Sequence, residues 1–141
     1  MKTVSKGCPD VRLSVKQLRT MYGALRASPP FSRWKLPPGD EVHFTSRALR
    51  GIERRLGIGP ADLLLGYHYL ELDGGHVIGV VAKNTATRAR AKATLAHEMI
   101  HASLAINAAK SGAVYSPGHG RAFQSRRRMV AIALGCEPEE I

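Results

Sequence analysis

The segment from residue 87 to residue 110 constrains the fold of this 141-residue chain more than any other part. Apolar side chains recur in it at the spacing of an α-helix. One apolar stripe consists of Leu95, Met99, Ala102 and Ile106. Ile100 and Leu104 are apolar as well, so little of such a helix is left to face water. The pattern predicts a long helix that is mostly buried inside the protein.

Three polar side chains, His97, Glu98 and His101, lie in the middle of this predicted helix. Buried polar groups without a partner cost several kcal/mol, so they need one. Residues four positions apart share a helical face, and both imidazoles can therefore bind one metal ion. The glutamate between them can reach a water molecule without binding the metal itself. The run predicts a zinc-dependent hydrolase, with Glu98 as its general base.

A catalytic zinc ion usually has three protein ligands, so a third one is expected. The long metzincin pattern needs glycine at 104 and histidine at 107, where this chain has Leu104 and Asn107. A glutamate ligand is disfavoured, because the downstream glutamates all lie in residues 137–141, which we expect to form a terminal tail. His119 follows His101 by 18 residues and has a glycine on either side, which lets the backbone approach a metal closely. His119 is the predicted third ligand.

At this point the chain resembles the SprT/Spartan metalloprotease domain. That family shows an HExxH helix followed by a His-Gly-x-x-Phe segment, and this chain has both, in residues 94–102 and 119–123. The preceding hairpin, whose residues 77–81 lead into the helix, is also similar, and the match covers about residues 40–135. The chain would be a minimal form, because it has no cysteines for the C-terminal zinc ribbon of many members.

The resemblance implies one catalytic zinc ion held by His97, His101 and His119, with Glu98 as the catalytic base. It also implies proteolysis of DNA-associated or DNA-crosslinked proteins, with a DNA-binding surface nearby. Two alternatives stay open. One is a DNA-binding accessory protein with a zinc site and little hydrolytic activity, and the other is a zincin peptidase with no link to nucleic acid.

The remaining patterns predict an α+β, zincin-like single domain over residues 11–136, between a flexible tail at 1–10 and the tail at 137–141. A small, mostly antiparallel sheet should pack on the HExxH helix and on further helices. The expected elements are a helix with a Ser14–Gln17 capping box, a strand at 41–45, a helix from Ser46 through residue 56, a hairpin with strands at 66–72 and 76–82, and a last helix at 121–134.

The net charge of +10, with 21 basic and 11 acidic residues, favours an anionic partner, and nucleic acid is the first choice. The candidate contacts to DNA are Arg88, Arg90, Lys92, Arg126, Arg127 and Arg128. Between Gly74 and Cys136, Glu98 is the single carboxylate among nine lysines and arginines. These basic surroundings and a metal ion predict that Glu98 is ionised.

Tyr115, on the loop before His119, is a candidate donor to an oxyanion. His43, His68 and His76 lack ligand spacing, and Trp34 is expected to pack in the protein rather than to stack on a base. Partners for the zinc-binding imidazoles are expected among backbone carbonyls, Asp73 and Asp62.

The composition predicts the cellular compartment of the protein. No apolar run reaches the length of a membrane span, and residues 1–6 lack the apolar core of a signal peptide. Cys8 and Cys136 have no partner at ligand spacing and are expected to be reduced. We therefore expect an intracellular monomer of bacterial or phage type that acts on a protein substrate.

Overall fold

The computed structural model describes residues 13–47, 65–85, 87–115 and 118–141. Within these ranges it is a small α+β domain with three α-helices and a mixed sheet of three strands. In chain order the elements are α1 (Val15–Arg26), β1 (Val42–Thr45), β2 (Gly66–Leu70), β3 (His76–Val80), α2 (Arg88–Ser111) and α3 (Arg121–Leu134). The α+β class is confirmed. The helix predicted from Ser46 through residue 56 falls largely outside the described residues.

Helix α1 begins at the predicted capping box. The backbone N–H of Gln17 donates to the Ser14 hydroxyl at 3.2 Å, and the Ser14 N–H donates to the Gln17 side chain at 2.8 Å. Two otherwise unpaired donors of the first turn are thus satisfied. The buried face of the helix consists of Leu18, Met21, Tyr22 and Leu25. This face joins the main hydrophobic core, which also contains Phe44, Ile78, Leu95 and Phe123.

Strands β2 and β3 form the predicted antiparallel hairpin. Its turn closes with a hydrogen bond from the Glu71 N–H to the Gly75 carbonyl at 2.8 Å. Gly74 has a φ of 89°, which glycine adopts without steric cost. The Asp73 carboxylate accepts from the Gly75 N–H at 2.8 Å and stabilises the turn. Asp73 is therefore a turn residue, and the expectation that it is a partner of one of the candidate ligand histidines is not met.

The sheet differs from the mostly antiparallel one that the sequence predicted. Strand β1 lies beside β3 and runs parallel to it, with Val42 opposite His76 and Thr45 opposite Gly79. The reason lies in the connection, because β1 reaches β3 only after residues 46–65 and strand β2. A connection of that length lets the chain return to the same end of the sheet, which a parallel pair requires.

Strand β2 lies close against α2. A Cβ atom added at Gly66 would lie 2.6 Å from the side chain of Thr94 and 3.2 Å from the Glu98 carboxylate. Any side chain at this position would force the strand away from the helix. The glycine therefore lets β2 pack directly against α2 beside Glu98.

Helix α2 spans almost the predicted segment. The Thr87 hydroxyl accepts from the Arg90 N–H at 3.0 Å and caps its start. Gly112, with a φ of 72°, ends it. Leu95 and Met99 are fully buried, so the helix runs through the core as predicted.

Helix α3 has the predicted bounds and ends at Gly135, which has a φ of 70°. Residues 137–141, expected to be a tail, instead pack back on the domain. They form a short 3-10 turn at Pro138–Glu140, and the side chain of Ile141 is buried against the main core. The apolar Ile141 side chain accounts for this difference.

Candidate metal centre

Three imidazole rings lie close together, two of them on α2 and one in the loop before α3. His97 and His101 lie one turn apart on α2, and His119 lies just before the start of α3. The Nε2 atom of His119 is 3.2 Å from the Nε2 atoms of both His97 and His101. One ligand atom from each of the three residues lies within 4.8 Å of the others. The structure thus brings together the three predicted ligands, and they can hold a metal ion.

The spacing of these atoms fits a tetrahedral ion. Nitrogen ligands about 2.0–2.1 Å from zinc lie about 3.3–3.4 Å from one another in a tetrahedron. The observed distances of 3.2 Å are close to this value. Hydrogen bonds alone do not explain the cluster, because the single Nε2 site of His119 faces two others at once. Three neutral imidazoles suit zinc, copper, iron and nickel alike, so the cluster does not fix which metal binds.

The other ring nitrogens of the two helical ligands have partners. The Nδ1–H of His97 donates to the main-chain oxygen of Ile141 at 3.2 Å. The Nδ1 atom of His101 lies 3.4 Å from the Tyr115 hydroxyl. A proton held on Nδ1 leaves Nε2 free to bind a metal. The partner of His97 is thus a main-chain oxygen rather than a carboxylate side chain, and the candidate Asp62 lies outside the described residues.

The protonation of the ligands also favours metal binding. Burial lowers the pKa of His97 below its usual value. Burial, together with the charges of His97 and His119, lowers the pKa of His101 to about 4. These two rings are therefore neutral near pH 7, as coordination requires.

Phe123 is an aromatic support shared by the three imidazoles. Its ring centroid lies 4.8 Å from that of His97, 4.6 Å from His101 and 4.5 Å from His119. It is buried in the first turn of α3, four residues after His119. Phe123 is the phenylalanine of the His-Gly-x-x-Phe segment, and the structure shows that it packs against all three imidazoles.

Gln124 is a site residue that sequence reasoning missed. Its side-chain amide donates to the main-chain oxygen of His119 at 3.1 Å, and its own oxygen accepts from Arg127 at 3.3 Å. This chain of contacts ties the loop that carries His119 to α3. A glutamine in the first turn of a helix carries no sequence signal that separates it from a surface residue.

Glu98 is 6% exposed, and its carboxylate has no hydrogen-bond or ion-pair partner among the described residues. Burial raises its pKa to about 8. The prediction of an ionised Glu98 rested on basic surroundings and a metal ion, whereas burial is the cause that shifts the pKa of this carboxyl group. A carboxyl group buried without a partner is typical of a functional site.

Tyr115 lies beside the centre through its contact with His101. Burial and the charge of Glu98 raise its pKa to about 12, so its hydroxyl stays protonated near pH 7. If His101 donates its Nδ1 proton to this oxygen, the Tyr115 proton remains available for another acceptor. The predicted role as an oxyanion donor stays a prediction.

The candidate DNA contacts on α3 do not act as one exposed set. The Arg126 guanidinium lies 4.5 Å from the centre of the Trp34 ring and donates to the Ser103 hydroxyl at 2.8 Å. Arg126 is therefore a packing residue, and Trp34 packs as expected. Arg127 is half-buried against Gln124, while Arg128 is exposed. On α2, the cations of Arg88, Arg90 and Lys92 are exposed.

The three histidines of the strands have different surroundings. His43 is exposed on β1. His68 and His76 form a pair across β2 and β3, with Nε2 of the first 2.9 Å from Nδ1 of the second. Burial, and then the charges of His76 and His101, lowers the pKa of His68 to about 3. The pair stays outside the three-histidine cluster.

Comparisons with protein-family models, with curated proteins and with solved structures found no match to this chain. Among the described helices, none has both the length and the apolar character that crossing a bilayer requires.

Proposed function

We propose that this chain is a zinc-dependent endopeptidase with a zincin-like, SprT-type domain. One observation carries the proposal: three imidazole Nε2 atoms converge on one point, beside a buried carboxyl group that has no partner among the described residues. Histidines His97, His101 and His119 would bind the zinc ion, and Glu98 would be the catalytic base.

The ligand count supports catalysis rather than a structural role. Structural zinc sites have four protein ligands, whereas catalytic sites have three and keep one position open. Among the described residues, the cluster consists of three histidines and no fourth protein ligand. A structural site also has no use for the buried carboxyl group of Glu98.

The chemistry follows from the positions of the side chains. When bound, a zinc ion polarises a peptide carbonyl and makes a water molecule acidic enough to lose a proton near neutral pH. Glu98, ionised beside that positive charge, accepts the proton of the attacking water and then delivers it to the leaving amine. The hydroxyl of Tyr115 would donate to the oxyanion that develops. The main-chain oxygen of Ile141 accepts from the Nδ1–H of His97 and so leaves Nε2 of that ring free to bind the metal, while the Tyr115 hydroxyl lies beside Nδ1 of His101.

Charge supports a substrate that is bound to DNA. The chain carries a net charge of +10, and the exposed cations of Arg90 and Arg128 have no ion-pair partner among the described residues. Such cations bind phosphates and release counterions. We therefore propose that the protein cleaves DNA-associated proteins.

The test compares wild type with Glu98→Gln on one substrate protein, both free and bound to DNA. The variant should keep its zinc, because Glu98 is not a ligand, and should lose cleavage by about a hundredfold or more. Glu41→Gln makes the same chemical change at an exposed glutamate and should cleave like wild type.

Each other result leads to a different conclusion. Equal cleavage by wild type and Glu98→Gln would contradict the role of Glu98. Cleavage of free peptides at the same rate with and without DNA would favour a peptidase with no link to nucleic acid. DNA binding and bound zinc without cleavage by wild type would favour an accessory protein.

A further inference from the structure

A second concave site lies away from the metal centre, among α1, the start of α2 and the second half of α3. Its volume is about 410 Å³, within the range of sites that bind small molecules. Its apolar floor is formed by Met21, Leu25, Phe31 and Val130. The cations of Arg88 and Lys92 lie at its edge.

This pocket and the metal centre use opposite faces of α2. Arg88 precedes His97 by nine residues, and Lys92 precedes His101 by the same number. Nine residues are about two and a half helical turns, which places the two pairs on opposite sides. A ligand in the pocket would not compete with a substrate at the metal centre.

The lining is more apolar than polar. The hydroxyls of Thr20 and Ser28, which line the pocket, donate to main-chain carbonyls of α1 at 3.1 and 3.3 Å. No lining residue is acidic. A ligand with many polar atoms would lose its hydrogen bonds to water here and find few replacements.

The two cations at the edge are free to bind an anion. Arg88 and Lys92 lie one turn apart on the same face, and neither has an ion-pair or hydrogen-bond partner among the described residues. The first turn of α2 has no acidic residue, although acids are the residues that stabilise a helix start. Cations in this position are unfavourable for the helix, and a bound anion would relieve that conflict.

We propose that this pocket binds a small amphiphilic anion. Its hydrocarbon part would lie on the apolar floor, and its single carboxylate or phosphate group would lie between Arg88 and Lys92. A nucleotide fits less well, because the polar edges of its base would be buried without partners. Free fatty acids and singly acylated phosphates share the required chemistry.

The test titrates octanoate, octanol and AMP into the isotopically labelled protein and follows backbone chemical shifts by NMR. Octanoate should bind one site, shift the pocket residues and bind about tenfold more tightly than octanol, because only octanoate pairs with the two cations. Octyl phosphate, added as a second anionic probe, separates a phosphate group from a carboxylate.

Matched variants separate binding in the pocket from attraction by the overall charge of the protein. Arg88→Ser with Lys92→Ser should lower the affinity for octanoate about tenfold, to the level of octanol. Lys16→Ser with Lys110→Ser removes the same charge at exposed positions outside the pocket, and affinity should stay within about twofold. Ala133→Trp, at an exposed lining position, should weaken both octanoate and octanol by filling the pocket.

Three results would overturn the proposal. Equal binding of octanoate and octanol would remove the role of the cations. An equal loss in the Lys16 and Lys110 control would show attraction by net charge alone. Tighter binding of AMP than of octanoate, with the same dependence on Arg88 and Lys92, would assign the pocket to nucleotides instead.

Discussion

Two groups of histidines in this protein invite comparison: the cluster of His97, His101 and His119, and the pair of His68 and His76. In both, imidazole nitrogens lie at about hydrogen-bond distance, and burial lowers pKa values. In the pair, Nε2 of one ring faces Nδ1 of the other, as in an ordinary hydrogen bond. In the cluster, the Nε2 atom of His119 faces the Nε2 atoms of both His97 and His101.

The remaining ring atoms sharpen the difference. In the cluster, the Nδ1 atoms of His97 and His101 lie within reach of an oxygen that fixes the ring. In the pair, the Nδ1 atom of His68 is buried without a hydrogen-bond partner. Close histidines alone are therefore no evidence of a metal site. Convergence of equivalent atoms, together with supported rings, is what distinguishes the cluster.

The largest expected effect is the loss of metal binding on His119→Ala. A bound zinc ion contributes about 10–16 kcal/mol through its whole ligand set, so one ligand is worth about 3 kcal/mol or more. Zinc affinity should fall more than a hundredfold, measured by competition with a chelator of known affinity. His76→Ala should leave it within about threefold. Equal losses in both variants would contradict the distinction between cluster and pair.

A second large effect concerns Glu98 in the metal-free protein. Its folded pKa of about 8 lies above the ordinary value of 4.5, so the folded state binds the proton more tightly. Stability is therefore lost as pH rises from 4.5 towards 8, by about 1.4 kcal/mol for each pH unit.

The variant Glu98→Gln removes this loss. In urea unfolding with a chelator present, it should become more stable than wild type as pH rises from 5 to 7, by about 2 kcal/mol. Glu41→Gln is the control and should follow wild type at every pH. A constant difference between wild type and Glu98→Gln would mean that the carboxyl group titrates normally.

The histidine pair predicts a pH dependence of the opposite sign. The folded pKa of His68, about 3, lies below its ordinary value of 6.5, so the unfolded state binds the proton more tightly. Stability should fall as pH drops below 6.5, and His68→Gln should reduce this fall by about 1–2 kcal/mol at pH 5. The control is His43→Gln, at an exposed site, which should leave this fall in stability unchanged. All the measurements are made with a chelator present.

The sequence predicted most of what depends on neighbours along the chain. The bounds of α2 and α3, the capping box of α1 and the turn at Gly74 follow from local patterns, and the three histidines lie within 23 residues, counted from His97 to His119. Their convergence needed only a loop that returns to α2. Local spacing therefore carried the prediction of the metal centre.

Contacts between distant segments were the part that the sequence did not reveal. The hydrogen bond from His97 to Ile141 joins residues 44 positions apart, and Arg126 reaches Ser103 and Trp34 on other elements. The parallel pairing of β1 with β3 belongs to the same class. Such contacts depend on tertiary packing, which no periodicity within one element encodes.

The smallest expected effect is that of Gln124→Ala on zinc affinity. It tests whether a residue that is not itself a ligand helps to hold the zinc ion. Gln124 donates to the main-chain oxygen of His119, so its loss should loosen the third ligand without removing it. Partners of this kind are worth about 10- to 100-fold in metal affinity, and an exposed loop should lie at the lower end. Gln124→Ala should therefore weaken zinc binding about tenfold.

The control is Gln17→Ala, in the capping box of α1. It should destabilise the fold without changing zinc affinity, because it lies on another helix. Unchanged zinc affinity in Gln124→Ala would mean that the two glycines beside His119 position the ligand unaided.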